Sequence, residues 1–204
     1  MYIVTAPWFL RILFPSFVTW KIPNERNEIY LTFDDGPHPV ATPFVLDILK
    51  KYNAKATFFC IGKNVKQFPD LYRRIIDEGH KVGNHTYDHL NGKKSSDKDY
   101  IENTLKAKQI IDSNLFRPPY GAITRFKAKQ LSSVYQIIMW DVLSADFDTS
   151  ITKEKCLENV TKNTKSGSVI VFHDSEKALP HLQYALLTAI EFFVEKGYKM
   201  DGIK

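Results

Sequence analysis

The chain has 204 residues, 44% of them apolar and 25% charged, with a formal net charge of +5. Length and composition fit one soluble globular domain whose core can hold a site without disulfides. The basic residues are scattered and form no arginine-rich stripe, which argues against a nucleic-acid partner. Cys60 and Cys156 belong to no C-x-x-C pair and read as buried thiols.

The chain opens with an apolar, aromatic run over residues 7–20. It does not read as a signal peptide: it has no basic lead, Arg11 interrupts it, and no small-residue cleavage site follows. It is also too short and too broken to span a bilayer. The expectation is an apolar segment, residues 1–27, packing on the floor of a domain formed by residues 28–204. A weak membrane-surface contact through residues 7–20 is the alternative. Either reading places the protein in the cytoplasm or at the periphery of the envelope.

Residues 28–33 read as a buried strand, cut off by the run Asp34-Asp35-Gly36-Pro37. Two adjacent carboxylates at a buried strand end cannot both ionise cheaply unless a cation sits with them. A helix is expected over residues 40–52, where Val45, Leu46, Ile48 and Leu49 share a face. Residues 56–61 form the next strand, and residues 69–78 a helix stopped by Gly79. A short strand over residues 81–84 delivers His85. Ser96 caps a helix running to about residue 112. Residues 115–117 are strand-like and are broken by Pro118-Pro119. A helix over 124–133 precedes a strand over 135–140, and a helix over 154–163 precedes a strand over 168–172 that ends at His173. A long helix over 182–196 is closed by Gly197. Apolar strands alternating with helices imply a parallel sheet, open or closed into a barrel. No repeat or linker marks a second domain.

Asp34, Asp35, His85, Arg117, Asp141 and His173 each follow a strand. In parallel α/β folds that is the face where active sites are built. His85 and His89, four residues apart, would share one face of a helical turn and suit one metal. Two imidazoles plus one of the aspartates make a set with open positions, as catalytic zinc uses, and other divalent ions fit it too. The remaining aspartate is then free to act as a general base. His173 suits a general acid, since breaking an amide requires protonating the leaving nitrogen. The stiff turn Arg117-Pro118-Pro119-Tyr120-Gly121 can present the Tyr120 N–H to an oxyanion, while Arg117 pairs with the base. His38, His80 and His181 read as structural or solvated. Trp140 and Phe147 read as core or as walls of a sugar groove.

Together these motifs resemble the NodB-homology polysaccharide deacetylases, carbohydrate esterase family 4, over residues 30–198. Thr32-Phe33-Asp34-Asp35-Gly36-Pro37 is similar to the first family motif and His85-Thr86-Tyr87-Asp88-His89 to the second. Arg117-Pro118-Pro119-Tyr120-Gly121 is similar to the third, and Val171-Phe172-His173 to the fifth. The resemblance implies a single-domain distorted (β/α) barrel and hydrolysis of acetyl groups from N-acetylated or O-acetylated sugars of a glycan or glycoconjugate. It implies Asp34 as base and Asp35, His85 and His89 as ligands to one divalent metal. Zinc is the first choice, with cobalt, nickel, manganese or ferrous iron as alternatives. It further implies Tyr120 as oxyanion donor, Arg117 as the residue orienting Asp34, and His173 as acid.

The fourth motif departs from the family pattern Asp-x-x-Asp-Trp and reads Leu143-Ser144-Ala145-Asp146-Phe147. Leucine stands where the first aspartate would tune the acid histidine, so His173 is expected to lack that partner, with Asp141 or Asp146 as substitutes. Two rival functions follow: an amidohydrolase acting on a non-sugar amide, and a carbohydrate-binding pseudoenzyme.

Overall fold

The computed structural model describes residues 4–5 and 17–204. Most of the apolar run expected to pack on the domain floor, or alternatively to touch a membrane surface, lies outside the described residues. Among those described, no helix is long and apolar enough to cross a membrane.

The strands are β1 (Val18–Thr19), β2 (Glu28–Asp34), β3 (Ala56–Cys60), β4 (Lys81–Asn84), β5 (Leu115–Phe116), β6 (Gln136–Ile138), β7 (Val142–Leu143), β8 (Val169–His173) and β9 (Lys199–Met200). They hydrogen-bond in the order β1-β6-β5-β4-β3-β2-β8-β7, with β9 beside β2, and every registered pair is parallel. The path curls into a distorted (β/α) barrel of a single domain. β1 and β7 stand at the two ends of the path, and no registered strand pair among the described residues joins them.

The helices are α1 (Ala41–Lys51), α2 (Gly62–Gln67), α3 (Pro69–Asp77), α4 (Asp97–Lys108), α5 (Arg125–Leu131), α6 (Lys153–Thr161) and α7 (Leu179–Glu195). Ser96 caps α4 as expected, its side chain accepting from the Asp99 N–H. That helix ends at Lys108, earlier than the periodicity suggests. The short elements β1, α2, β7 and β9 are too brief to carry a periodic signal.

β2 lies at the centre and all of its residues are buried, its polar members Glu28, Thr32 and Asp34 included. Its pleat sorts the side chains. Ile29, Leu31 and Phe33 pack with Val45, Leu46 and Leu49 of α1 and with Leu182 and Leu186 of α7. Tyr30 packs with Phe59, Leu115, Ile138 and Val169 in a separate interior cluster. The period of two therefore places Thr32 and Asp34 on the interior face.

Gly83 on β4 is a point of close approach. A Cβ there would lie 2.4 Å from Cδ1 of Phe59 on β3. Overfilling a packed site of this kind costs about 1–3 kcal/mol. Gly83→Ala is therefore expected to lower the thermal unfolding midpoint by several degrees. An unchanged midpoint would show that β3 and β4 can separate at no cost.

Candidate active site

The floor of the site is a buried ion pair. Arg117 directly follows β5 and is fully buried, with its N–H donating to the Asn84 carbonyl. Its Nη1 donates to Asp34 Oδ1 and to Thr32 Oγ1, each at 2.7 Å. Its Nε and Nη2 donate to the carbonyls of Ile138 and Met139 at 3.2 and 3.0 Å. The guanidinium also lies 4.1 Å from the centroid of the Phe59 ring. Burial draws the guanidinium below its ordinary pKa, and Asp34 opposes that shift. The Ile138 and Met139 carbonyls lie at the end of β6, so Arg117, which follows β5, ties that end to β2.

Asp35 turns the other way. Its φ of 82° lies in the left-handed region, which aspartate tolerates better than most residues. Asn64 Nδ2 donates to its carbonyl at 2.7 Å. The next peptide is held by buried Asp174, whose Oδ1 accepts the Gly36 N–H at 3.1 Å. Only glycine fits at position 36, since a Cβ would lie 2.0 Å from Asp174 Oδ2.

The histidines close the cluster. His85 Nδ1 lies 2.7 Å from the Arg117 carbonyl, which can only accept, so Nδ1 carries the proton and the Nε2 lone pair is free. Burial lowers the pKa of His85 to about 4, which keeps this imidazole neutral. Asp35 Oδ1 lies 3.1 Å from His89 Nε2 and 3.7 Å from His85 Nε2. One ligand atom from each of Asp35, His85 and His89 lies within 4.8 Å of the others. Burial raises the Asp35 pKa, but His89, His173 and His85 outweigh it and hold the carboxyl below its usual range. Its buried Oδ1 makes no hydrogen bond of proper geometry. An orphaned carboxylate oxygen facing two imidazoles fits a divalent cation.

The segment from His85 to His89 is not the helical turn that its spacing suggests. It is a loop, with Thr86 at φ 63° and His89 at φ 58°. Asn103 of α4 holds it, its Oδ1 accepting from the N–H groups of Tyr87 and Asp88. The loop brings the two rings to a centroid distance of 5.1 Å without helical geometry.

His173 ends β8, in register with Asp34 on β2. Leu143 supplies no carboxylate, and of the two substitutes expected, Asp146 takes the place while Asp141 bonds Ser168 and Val169 instead. Asp146, fully buried, accepts from His173 Nδ1 at 2.7 Å and from the His173 N–H at 2.8 Å. Burial lowers the His173 pKa, but the Asp146 carboxylate, with Asp35 and Asp34 adding to it, outweighs burial and raises the value to about 9. The chain reaches this position by turning at Ala145, whose φ is 62°.

These groups surround a cavity of about 470 Å³. Asp34, Asp35, His85, His89 and His173 line its polar side, and Tyr120, Trp140, Leu143, Phe147 and Val171 its walls, with Lys177 among the lining residues. The Phe147 ring stands edge-on to His173 at 5.0 Å, and Tyr120, at φ 61°, sets its ring 4.6 Å from His89. Trp140 and Phe147 thus wall the cavity. Asp141 bonds the Val169 N–H and Ser168 Oγ and is not among the lining residues. His38 accepts the first N–H groups of the α1 turn, and His80 packs against Phe58. Asp174 and Asn103, which support the site from behind, gave no motif signal of their own.

The sequence pattern described as polysaccharide deacetylase matches residues 21–135. A peptidoglycan-N-acetylglucosamine deacetylase of Bacillus cereus (strain ATCC 14579) is 36% identical over 191 residues, 90% of each chain. The peptidoglycan-N-acetylglucosamine deacetylase PgdA of Listeria monocytogenes (strain 10403S) is 39% identical over 194 residues, which span 90% of this chain and 40% of the Listeria protein. The crystal structure of the Bc1960 peptidoglycan N-acetylglucosamine deacetylase superposes with a TM-score of 0.88 at 32% identity, covering 97% of this chain and 95% of that one. With its sequence and its whole fold matched in this way, the chain belongs to the polysaccharide deacetylase family.

Proposed function

We propose that the protein removes the acetyl group from an N-acetylated amino sugar of a glycan, with peptidoglycan the glycan class its relatives point to. The observation that carries this reading is the pairing across one cavity. Asp34 is held by a buried cation and His173 by a buried anion, with the Asp35–His85–His89 cluster beside them. Zinc suits two imidazole nitrogens and a carboxylate oxygen, and cobalt, nickel, manganese or ferrous iron can use the same donors.

Asp35, His85 and His89 would hold a divalent cation, which would supply Lewis acidity for the acetyl carbonyl and for the attacking water. The chain's own groups do the rest. Asp34, oriented by Arg117, takes the proton of the attacking water. The Tyr120 N–H donates to the oxygen that becomes negative. His173, charged because Asp146 supports it, gives its proton to the departing nitrogen. An amide needs that proton more than an ester does, which favours N-deacetylation. Trp140, Phe147 and Tyr120 supply apolar faces for the sugar ring. The pseudoenzyme alternative rested on a His173 without a carboxylate, and Asp146 removes that ground.

Acetate release from N-acetylated glycan oligomers checks this reading. It is expected to disappear on chelation and return with zinc. Asp34→Asn should lose about 10²–10⁴-fold in kcat, the usual worth of a general base. His85→Ala should lose bound metal. Release that survives chelation and both substitutions would defeat the proposal.

The pH dependence has a definite sign. His173 is competent while protonated, so activity is present below its raised pKa and is lost as pH rises through it. The value of about 9 includes the fields of Asp35 and Asp34. A cation on Asp35 opposes the first of these, so the alkaline limb of the loaded enzyme lies below that value. Asp146→Asn removes the main support and leaves burial to lower the pKa. The limb should then move to lower pH by about one unit or more, with a fall in kcat. An unmoved limb would show that His173 is not the titrating acid.

A further inference from the structure

Asp146 is held from behind by a second histidine. His181 lies in the first turn of α7, and its Nδ1 is 2.9 Å from the Asp146 carbonyl. Its Nε2 is 3.0 Å from the Ile151 carbonyl. A carbonyl oxygen only accepts, so both contacts are hydrogen bonds only when both ring nitrogens carry hydrogen. A neutral imidazole satisfies one of them and sets its other lone pair against an oxygen.

Resting on the deacetylase reading, we propose that His181 is a positioning residue for the acid, an imidazolium that clamps both ends of the 146–151 turn to α7 and so fixes Asp146 against His173. The turn needs such a tie. It begins at Ala145 in the left-handed region. Its internal bonds are short-range: Asp146 N–H to Ser144 Oγ, Asp148 N–H to the Ala145 carbonyl, and Ile151 N–H to the Asp148 carbonyl. The clamp joins it to the helix that follows β8, the strand that carries His173.

The charges around His181 are of both signs. The Asp146 carboxylate is turned away to His173, and Asp148 Oδ1 accepts from Ser150. Glu154 on α6 is close enough for His181 to help hold its carboxyl below the ordinary value, after its own backbone, Thr152 and Lys153 and against the effect of burial. Lys153 lies over the ring of Tyr184, and Lys177 lies toward Phe147. The N-terminus of α7 disfavours a positive charge. The paired carbonyls and Glu154 are the groups that oppose it.

The test separates the two bonds. His181→Asn keeps an N–H in the place of Nδ1, His181→Gln keeps one in the place of Nε2, and His181→Leu keeps neither. In the zinc-loaded protein, His181→Leu should lower kcat by about tenfold, the scale of a slightly misplaced catalytic group. KM and zinc content should stay near the wild-type values, and the alkaline limb should move to lower pH. His181→Asn should restore most of kcat and of the limb, and His181→Gln less. A merely structural role would instead reduce kcat in step with the unfolding midpoint and leave the limb in place, which overturns the proposal. So would His181→Asn behaving like His181→Leu. Independently of turnover, ring ¹⁵N resonances of wild-type His181 should show both nitrogens protonated at neutral pH, and a neutral tautomer there overturns it. Absence of acetate release from the wild type would count against the deacetylase reading alone, since the ¹⁵N result stands without it.

Discussion

The site depends on one buried cation. A guanidinium removed from water is costly unless its donors are matched and a counter-charge is near. Arg117 meets both conditions through Thr32, Asp34 and the carbonyls of Ile138 and Met139. Removing such a partner from a buried pair costs about 3–5 kcal/mol, because the other charge is left alone. The same residue acts a second time through its backbone, whose carbonyl takes the Nδ1 proton of His85. The orientation of Asp34 and the tautomer of His85 are thus fixed by one residue. Any shift of Arg117 moves Asp34 and a candidate metal ligand together.

That arrangement also divides the two aspartates. The pleat of β2 turns Asp34 inward to Arg117, and the left-handed backbone at Asp35 turns its carboxylate to the histidines. One negative charge is neutralised by the protein. The other is left for a cation, with an oxygen that nothing in the protein bonds. A third carboxyl, Asp174, sits beneath them and accepts from Thr42 Oγ1 at 2.5 Å and from the Gly36 N–H. Burial, with Asp35 adding to it, raises its pKa to about 8. The hydrogen bonds to Thr42 and the Gly36 N–H hold this buried carboxyl in place and shape the turn.

Much of this was legible in the chain. Apolar runs and helical faces located the main elements, and the position of polar residues after strands located the face of the site. What was not legible depended on remote partners. Four-residue spacing suggested a helical turn for His85 and His89, but the loop is set by positive φ at Thr86 and His89 and by Asn103, which comes from α4. The motif pattern puts leucine at position 143 and leaves Asp141 and Asp146 as candidate partners of His173 without choosing between them. Leu143 is a strand residue that lines the cavity, and the chain must turn at Ala145 before a carboxylate reaches the imidazole. Pattern shows which residue types are present. It does not show a backbone turn that changes which of two aspartates arrives.

The proposed base and the proposed acid mirror one another. Asp34 and His173 are register partners on adjacent parallel strands, so the sheet alone sets them at the same level. Each receives its opposite charge from elsewhere in the fold, Asp34 from Arg117 after β5 and His173 from Asp146 after β7. The supports are of opposite charge: a buried cation sits against the proposed base, and a buried anion favours the charged form of the proposed acid. The reaction as proposed needs a proton acceptor on one side of the acetyl carbon and a proton donor on the other. Without Asp146, burial would drive His173 toward the neutral imidazole, which has no proton to give. The paired supports therefore do more than hold geometry: Arg117 orients Asp34 and supplies its counter-charge, and Asp146 keeps the proton on His173 before substrate arrives.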